Sequence, residues 1–419
     1  MKRRDFIIKT AGVTAASLSY SQLYSQVHQE MERTTDKTRY DVIVLGVGSM
    51  GSSTCYHLAK KGYKVLGLEQ FDIPHELGSH AGQSRIIRKA YGEASDYVPL
   101  LERAYENWKT LESETGSQVY HKTGLVYFGA ANAPFLETVI QSSAKYNIVV
   151  NKLTAEECDH KYPQFRLPGD FQRLEEPDAG FLTPERSILL FAQQALLNGA
   201  VLRTKEKVLE WRRENGIVTV KTNRGTYQAK KLVITAGPWA GKMIPGLDSK
   251  VKITRQALAW VQPKKWDHFT LGKFPCWLLE NGEYDFYGFP ILPVGKFGGP
   301  LGLKLALHHP GGEITDPDAV NRNTKESDEN VLIQFLNQFM PDGYENTLVM
   351  KTCLYTNTPD QNFILDYLPG YEKDVTIAAG FSVHGFKFAS VIGEIMADLT
   401  INGSTPMPIE FLNAQRFGS

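Results

Sequence analysis

The sequence has few cysteines, no excess of charge of either sign and no long hydrophobic run. Its 419 residues contain four cysteines, with no C-x-x-C pair and no spacing typical of metal ligands. This argues against a disulfide framework, and we predict no metal site. Lysine and arginine number 46 together, as do aspartate and glutamate, so the formal net charge is zero. Because no global field attracts nucleic acid or an anionic membrane, we expect a small-molecule substrate and no nucleic-acid partner.

No apolar run reaches the length of a membrane-spanning helix, so we expect no stable membrane insertion. The N-terminus is nevertheless distinctive, because Lys2-Arg3-Arg4 precedes a weakly apolar, alanine-rich stretch from Thr10 to Leu18. This order is typical of a twin-arginine export signal, and a disordered basic tail is the alternative. We therefore predict that residues 1–38 are a signal and spacer. The export machinery would be a partner, and the protein would be periplasmic or secreted.

Residues 40–61 carry the pattern of a dinucleotide-binding unit. A predicted buried strand, Tyr40 to Leu45, runs into Gly46-Val47-Gly48-Ser49-Met50-Gly51 and then into a predicted helix. Gly46 permits a tight turn, Gly48 lets the backbone approach a pyrophosphate, and Gly51 allows the helix to pack closely on the strand. The N–H groups at the helix start, where Ser49 and Met50 lie, can bind phosphate. These residues are predicted to bind a dinucleotide.

The next predicted strand supports the same interpretation. It runs from Lys64 to Glu69, which follows the glycines by about 20 residues, the usual distance for a carboxylate that binds a ribose diol. Glu69 therefore favours an unphosphorylated adenosine ribose over NADP.

Further along, the apolar spacing changes from one type of element to another. Helices are predicted for 97–114, 134–146 and the segments that begin after Thr154 and Thr183, the last ending at Leu197. Short strands at 208–212, 217–222 and 225–229 suggest a meander, followed by a buried strand at 231–236. From Val251 to Asn357, aromatic-rich segments between glycine and proline turns predict an antiparallel sheet. Since 419 residues exceed the usual size of one core, we expect two domains.

Several longer motifs lie outside the dinucleotide unit. They are the run from Gly78 to Glu93, Tyr287-Gly288-Phe289-Pro290, Gly302-Leu303-Lys304-Leu305, Cys353-Leu354-Tyr355-Thr356 and the run from Gly380 to Phe388. With these motifs, the chain from about Asp41 to about Leu399 resembles the monomeric sarcosine oxidase and N-methyl-L-tryptophan oxidase family of FAD-dependent amine oxidases.

The resemblance implies an α/β (α+β) fold in which a Rossmann-like FAD-binding domain is interleaved with an antiparallel-sheet substrate domain. The FAD-binding domain would comprise 39–121, 182–252 and 360–405. The substrate domain would comprise 122–181 and 253–359, and 406–419 would form a C-terminal tail. The protein would be a monomer.

The resemblance also implies roles for individual residues. Cys353 would attach FAD covalently through a thioether, Lys304 would activate O₂, and Arg88 and Lys387 would bind the substrate carboxylate. Arg85 would lie beside the flavin. Tyr287, Tyr355 and His308 would line the substrate cavity. The catalytic candidates are then Lys304, Arg85 and His308. The further cofactor contacts would be Ser79, Arg85, Gly385 and Lys387.

The residues themselves leave simpler roles open. Cys353 could be an ordinary buried thiol, and Lys304 could extend its ammonium to solvent. Arg88 and Lys387 could each be a solvated surface charge. Arg85, the two tyrosines and His308 could be purely structural.

Two positions depart from the family pattern. Ala81 replaces a common second histidine, and Val383 replaces a small glycine; in addition, the segment from Ile291 to Leu301 is longer than is usual. We expect an altered cavity, so neither sarcosine nor N-methyltryptophan can be assumed as the substrate.

These observations predict an exported FAD-dependent oxidase of secondary or N-methyl amino acids. It would transfer a hydride equivalent to the flavin, release an imine for hydrolysis and reduce O₂ to hydrogen peroxide. One alternative is a periplasmic flavin dehydrogenase that uses another electron acceptor. Another is a flavin-containing binding protein without turnover.

Overall fold

The structure is a computed structural model that describes residues 39–308 and 311–417. The export signal predicted within residues 1–38 lies outside the described residues. The helices, in chain order, are α1 Ser49–Lys60, α2 Val98–Thr115, α3 Pro134–Tyr146, α4 Ala155–Lys161, α5 Pro184–Leu197, α6 Ala240–Met243, α7 Val294–Phe297, α8 Glu326–Phe339 and α9 Ala389–Asn402. None of these described helices is both long and apolar enough to cross a membrane.

The strands are interspersed with these helices along the chain, often two or more in succession. They are β1 Arg39–Leu45, β2 Val65–Leu68, β3 Arg85–Ile87, β4 Tyr120–Lys122, β5 Leu125–Gly129, β6 Asn151–Lys152, β7 Gln172–Glu176, β8 Gly180–Leu182, β9 Val201–Arg203, β10 Val208–Glu214, β11 Ile217–Thr222, β12 Thr226–Ile234, β13 Lys252–Gln262, β14 Cys276–Glu280, β15 Asp285–Phe289, β16 Leu303–Leu307, β17 Glu313–Ile314, β18 Asn346–Asn357, β19 Ile364–Tyr367 and β20 Val375–Ala379.

The first sheet has the order β10-β11-β12-β1-β2-β9, and β20 pairs with β12 and with β19. Strand β1 lies parallel to both β2 and β12, and α1 follows it directly. Val42, Ile43 and Val44 are buried, as expected for a parallel strand covered on both faces. The meander prediction was wrong in one respect. Its third strand and the buried strand after it are one continuous strand, β12, because Thr226 to Ile234 pairs antiparallel with β11 and then parallel with β1.

The second sheet has the order β17-β13-β16-β15-β14-β5-β7-β6, with β18 also paired to β13. Its pairs are antiparallel except for β5 and β14, which are parallel. The sequence did not predict α8. That helix covers the sheet by stacking Phe335 on Trp277, with ring centroids 5.3 Å apart. The α/β fold class and the predicted combination of two sheets are confirmed.

A third sheet of three short strands, in the order β3-β8-β4, was not predicted. In this sheet β3 pairs with β8, and Arg85 lies opposite Leu182. The pairing thereby positions β3, the strand that immediately precedes Arg88. Strands of the first sheet come from 39–68, 201–234 and 364–379, and those of the second from 125–176 and 252–357. This alternation agrees with interleaved domains, although the domain boundaries themselves stay a prediction.

The described part of the predicted C-terminal tail packs against the first sheet's side of the molecule. Leu412 is buried, and the Arg416 guanidinium pairs with Asp360 at 2.8 Å.

Candidate active site

A cavity of about 460 Å³ extends from the ends of β1 and β2 to the second sheet. Most of the residues that the sequence singles out meet here. The predicted site residues that line it are Gly46, Gly48, Ser49, Met50, Glu69, Ser79, Arg85, Arg88, Tyr287, His308, Tyr355, Gly385 and Lys387. Three predicted site residues, Gly51, Lys304 and Cys353, do not line the cavity.

The glycine-rich turn forms one end of the cavity from backbone alone. Gly46 adopts a φ of +89°, which favours glycine, and its N–H donates to Leu68 O at 2.8 Å. Helix α1 then begins at Ser49, and its N-cap residue Gly48 offers no side-chain cap, so no side chain caps its first N–H groups. Gly51 lies behind this turn. A Cβ at Gly51 would lie 1.8 Å from Gly46 O, so the helix can pack this closely only on glycine.

Glu69 stands just after β2 and is buried. Its carboxylate accepts the N–H of Val47 at 2.9 Å and the N–H of Phe71 at 3.0 Å. Burial raises the pKa of Glu69, and these backbone hydrogen bonds oppose the rise. A carboxylate has about four acceptor positions, so two remain for a diol.

Arg85 and Lys304 both hold the loop between β2 and β3. Arg85 donates to the carbonyls of Ser79, Ala81 and Ser84 at 3.2, 2.5 and 3.0 Å. Lys304, on β16, is buried beneath the same loop. Its Nζ donates to Gly82 O at 2.5 Å and to Ser84 O at 2.7 Å.

The position of Lys304 excludes the alternative in which its ammonium extends to solvent, since the residue is 1% exposed. The rings of Phe289 and Trp260 lie 4.4 and 5.5 Å from Nζ. Burial and then the charge of Arg85 hold the pKa of Lys304 well below its usual range.

Cys353 lies fully buried on β18, opposite Gln256 of β13 and two residues before the cavity-lining Tyr355. Burial raises the pKa of the Cys353 thiol, and the nearby Arg85 and Lys304 act in the opposite direction. The nearby cations therefore offset only part of the effect of burial, and the neutral thiol is favoured at this position.

Arg88 is buried and already paired, which the sequence did not predict. One guanidinium nitrogen, Nη2, donates to both carboxylate oxygens of Glu93 at 2.7 and 2.8 Å, and Nη1 donates to Ala90 O at 3.2 Å. The guanidinium also lies over the rings of Tyr91 and Phe135, at 4.7 and 5.0 Å. Burial alone would raise the pKa of Glu93, but Arg88, with smaller contributions from His384, Lys387 and His308, lowers that pKa to about 2. Arg88 is therefore not a solvated surface charge.

Lys387 stands beside Arg88 in the cavity and belongs to a small polar network. Its Nζ donates to His384 O at 2.9 Å and to the Tyr91 hydroxyl at 3.4 Å, and that hydroxyl lies 2.6 Å from His384 Nδ1. Burial and then Arg88 lower the pKa of Lys387 to about 7, although Glu93 opposes them.

The second sheet supplies the opposite wall. Tyr287 and Tyr355 stand on β15 and β18, and the Tyr287 ring meets the His308 ring edge-on, with centroids 5.6 Å apart. Burial lowers the pKa of His308 to about 4, so its imidazole is neutral at neutral pH. Burial likewise raises the pKa of Tyr355 well above its usual value, which keeps the phenol protonated.

Comparison with known proteins assigns this arrangement to a family. Residues 41–399 match the DAO family model, described as FAD dependent oxidoreductase. The chain is 36% identical over 384 residues to monomeric sarcosine oxidase from Bacillus sp. (strain NS-129), covering 90% of this chain and 97% of that protein. It is 34% identical over 382 residues to N-methyl-L-tryptophan oxidase from Salmonella enteritidis PT4, covering 90% and 99%. The chain belongs to this family of FAD-dependent oxidoreductases.

The fold agrees with that family. NikD, an unusual amino acid oxidase essential for nikkomycin biosynthesis, superposes with a TM-score of 0.78 at 25% identity, over 90% of this chain and 98% of that chain.

The described residues fit the FAD of this family. The uncapped start of α1 and the open approach to Gly48 suit a pyrophosphate, and Glu69 suits a ribose. His80 also lines the cavity, and its buried Nε2 has no hydrogen-bond partner among the described residues. A donor or acceptor on a bound nucleotide would supply the missing hydrogen bond.

Of the two positions that depart from the family pattern, Val383 lines the cavity and Ala81 does not. Val383 has a φ of +54°, which is rare for a β-branched residue and explains why glycine suits this position. Ala81 is buried, and its contact with Arg85 is made by its carbonyl group. The segment from Ile291 to Leu301 contains α7, and Gly298 O in it accepts the Gln83 side chain at 2.8 Å.

Sequence reasoning missed several residues that line the cavity. Glu93 shares a sequence motif with Arg88, and His384 shares one with Lys387. This closeness in sequence could have indicated that both residues belong to the site. Leu278 and Glu280 lie in no motif, and only the pairing of β14 with β15 brings them to the cavity.

Proposed function

We propose that this family member is an oxidase of secondary or N-methyl amino acids, acting on the bond between carbon and the substrate nitrogen. The observation that carries the proposal is the pair Arg88 and Lys387, two buried cations in the cavity that also holds the glycine-rich turn. When bound, FAD supplies the two-electron acceptor, so that the substrate becomes an imine that water hydrolyses.

The two cations would bind the substrate carboxylate and thereby orient the molecule. A guanidinium can bind a carboxylate through two parallel hydrogen bonds, and an ammonium adds a point charge. Because Arg88 already contacts Glu93, binding would redistribute its donors between two carboxylates. The protonated phenols of Tyr287 and Tyr355 would contact the substrate from the opposite wall.

The cations also bear on the protonation of the substrate. Positive charge nearby lowers the pKa of an amine, so the cavity favours the neutral amine that oxidation requires. For this reason the proposal needs no side chain as an obligatory base.

We assign O₂ activation to Lys304. In its protonated form its ammonium is held by carbonyl oxygens in a water-poor environment, where a fixed cation strongly stabilises the negative charge that develops on O₂ as it is reduced. The product of that step would be hydrogen peroxide. Arg85 lines the cavity and adds a second positive charge near Lys304.

We also propose that Cys353 forms the covalent link to FAD. The support for this link is that the thiol is buried near the cations Arg85 and Lys304. In addition, Cys353 precedes the cavity residue Tyr355 by two positions in the sequence. Peptide mass spectrometry should find the flavin on the peptide that contains Cys353. Cys353→Ala should release all flavin on acid precipitation, whereas Cys276→Ala, another buried thiol, should retain it.

An anaerobic titration tests the central proposal. The purified holoprotein is mixed with a panel of N-methyl and cyclic secondary amino acids while the visible flavin absorbance is followed. Bleaching by at least one compound supports oxidation; spectral shifts without bleaching across the panel would favour a binding role. Admitting O₂ and measuring peroxide then separates the oxidase from a dehydrogenase, because only an oxidase gives one peroxide for each substrate.

Export and a monomeric state are also proposals. Lys2-Arg3-Arg4 supports export by the twin-arginine route, which carries folded proteins and so suits an enzyme that binds its cofactor first. Replacing Arg3 and Arg4 with lysine should leave the protein in the cytoplasm, as cell fractionation would show. Light scattering measures the oligomeric state.

A further inference from the structure

The peptide group between Gly82 and Gln83 connects two side chains of opposite charge. Its carbonyl oxygen, Gly82 O, accepts a hydrogen bond from Lys304 Nζ at 2.5 Å. Its N–H, that of Gln83, donates to Glu185 Oε1 at 3.1 Å, and the N–H of Gly82 donates to the same oxygen at 2.8 Å. The C=O and N–H of a trans peptide group point in opposite directions. The carboxylate and the ammonium therefore bind opposite sides of one peptide group.

Helix α5 presents this carboxylate to the loop. Glu185 is the second residue of α5, and an acid in the first turn of a helix ordinarily interacts with the free N–H groups of that helix. The Glu185 carboxylate instead accepts from residues that lie 102 and 103 positions earlier in the chain. The neighbouring Arg186 directs its guanidinium elsewhere, to the carbonyls of Gln118 and Lys296. A role confined to the start of α5 does not account for these contacts.

The loop has a conformation that needs such support. Gly82 and Gln83 have φ values of +122° and +69°. A positive φ is uncommon for a residue other than glycine, and it persists where surrounding contacts hold the backbone in place. Glu185 holds the N–H groups of this turn, while the carbonyl oxygens of Gly82 and Ser84 both accept from Lys304. The contact with Glu185 thus helps to keep the carbonyl groups directed at the ammonium.

The ammonium also needs a negative charge nearby, because a second cation is close to it. A Cβ added at Gly82 would lie 3.1 Å from Arg85 Nη1 and 3.5 Å from Lys304 Nζ. Like charges oppose each other more strongly in the interior of a protein than in water. Burial and then Arg85 lower the pKa of Lys304, and the charge of Glu185 acts in the opposite direction.

The other titratable groups that face Lys304 are the buried thiols of Cys276 on β14 and Cys353 on β18. Burial raises the pKa of both thiols, which keeps them neutral at neutral pH. Among the described groups that face Lys304, Glu185 is therefore the one that supplies a negative charge.

Glu185 acts from outside the substrate cavity. It is half-buried and lines a second cavity of about 170 Å³ together with Gly82 and Gln83, whereas it does not line the large cavity. A substitution at Glu185 should therefore leave substrate binding and flavin reduction unaffected.

We propose that Glu185 is a positioning residue for the reduction of O₂: it orients the Gly82 carbonyl that holds Lys304 and stabilises the positive charge of that ammonium. This inference rests on the proposed function, because it takes Lys304 as the group that activates O₂. Cooperative polarisation strengthens the effect, since a peptide group whose N–H binds a carboxylate is a better acceptor at its carbonyl oxygen.

The pH dependence of flavin reoxidation tests the charge. The holoprotein is reduced photochemically, without substrate, and is mixed with O₂ in a stopped-flow instrument. The ammonium is present below the pKa of Lys304 and lost above it, so the rate constant should fall as the pH rises through that value. Glu185→Gln can keep both hydrogen bonds but not the charge, and the fall should lie about one pH unit lower, with reoxidation above it about tenfold slower. Glu326→Gln, at an exposed acid in the first turn of α8, should leave the profile unchanged.

An unchanged rate and pH profile in Glu185→Gln would overturn the inference. If that variant does not fold, Glu185→Ala is measured in its place with the same two outcomes. A double-mutant cycle shows whether Glu185 acts through Lys304, because Glu185→Gln should then have no further effect in the Lys304→Met protein. An equal effect in both backgrounds would also overturn the inference.

Hydrogen exchange tests the orientation of the loop without turnover. Mass spectrometry of the holoprotein follows the peptide that contains the amides of Gly82 and Gln83. These amides should exchange at least about tenfold faster in Glu185→Ala, which loses both hydrogen bonds, and at an unchanged rate in Glu185→Gln. Unchanged exchange in Glu185→Ala would contradict the positioning role.

The same measurements separate this inference from the proposals on which it rests. If Lys304→Met is slow to reoxidise and Glu185→Gln is not, the inference fails and the role of Lys304 stands. If Lys304→Met reoxidises as fast as the unmodified protein, the role of Lys304 fails and the inference fails with it. Neither result involves an amino acid, so the oxidation of secondary or N-methyl amino acids is decided separately by the anaerobic titration.

Discussion

The two ends of the cavity are built from different parts of the protein. At the nucleotide end, Gly46, Gly48 and Gly51 present backbone, and Gly46 and Gly51 make close contacts that no side chain would allow. At the substrate end, the surface consists of charged and aromatic side chains, with Arg88 and Lys387 as its buried cations. Close steric contacts between backbone atoms determine the shape of the nucleotide end. The positions of charged side chains determine what the substrate end can bind.

This difference should determine how each end responds to substitution. Backbone atoms cannot move aside without shifting a strand or a helix, so an added atom at the nucleotide end should affect folding and cofactor retention together. A side chain at the substrate end can be exchanged for one of similar size, which should alter affinity or rate while the fold persists. The predictions below test this division, beginning with the largest effect.

Gly51→Val should abolish FAD retention and destabilise the protein by about 3 kcal/mol. The new Cβ would lie 1.8 Å from Gly46 O and 2.7 Å from the Thr235 hydroxyl, so α1 must move away from β1. Flavin content after purification and chemical denaturation measure the two effects. Gly169→Val is the control, because a Cβ there meets no atom within 4 Å. Full flavin content and unchanged stability in Gly51→Val would contradict the steric account.

Lys304→Met should slow reoxidation by O₂ roughly 10² to 10³-fold, the usual effect of removing a preorganised electrostatic group. Reduction of the flavin by substrate should change far less, since the ammonium does not line the cavity. Stopped-flow measurements of the two half-reactions test this. Lys252→Met, at an exposed lysine, is the control. Equal slowing of both half-reactions would show that Lys304 mainly supports the loop at Gly82 and Ser84.

The nucleotide end was predictable because its pattern is local. Gly46 to Gly51 and Glu69 lie on consecutive elements, so spacing alone indicated strand, turn, helix and strand. The continuous β12 was missed because nothing local shows that residues 226–234 pair with both β11 and β1. Thr154 caps α4, at the helix start that the sequence predicts. At α5, by contrast, Thr183 makes no cap, and the Glu185 carboxylate accepts the N–H of Gly82 instead.

The substrate end was predictable only where a family motif marked it. Motifs identified Arg88 and Lys387 as members of one site, and the structure brings both to the cavity. The pairing of Arg88 with Glu93 needed side-chain geometry, although the two residues are only five apart. Glu280 reaches the site through the register of β14 and β15, a contact between elements that sequence spacing does not encode.

Arg88→Lys should weaken carboxylate binding by about 2 kcal/mol, or roughly thirtyfold, while preserving positive charge. An ammonium cannot form two parallel hydrogen bonds and cannot maintain the contacts over Tyr91 and Phe135. The affinity for hexanoate, measured by calorimetry on the holoprotein, gives the change. Arg212→Lys, at an exposed arginine, should have no effect. If Arg88→Lys binds hexanoate as well as the unmodified protein, charge alone defines this end of the cavity.

The pH dependence of hexanoate binding should report the charge on Lys387. Its pKa is about 7, lowered by burial and then by Arg88, so the ammonium is present below that pH and is lost above it. Affinity should therefore be highest below pH 7 and should fall as the pH rises above it, by at most about tenfold for each pH unit, because Arg88 stays charged and the carboxylate itself stays ionised.

The charged neighbours of Lys387 titrate outside this range. The pKa of His384 is about 3, that of His308 about 4 and that of Glu93 about 2. Calorimetric titrations between about pH 6 and about pH 9 can therefore assign the change to one group. Lys387→Met should bind hexanoate weakly and with no inflection near pH 7, whereas an inflection that survives in this variant would assign the titration to another group. Such a result would also mean that the positive charge at the substrate end resides in Arg88 alone.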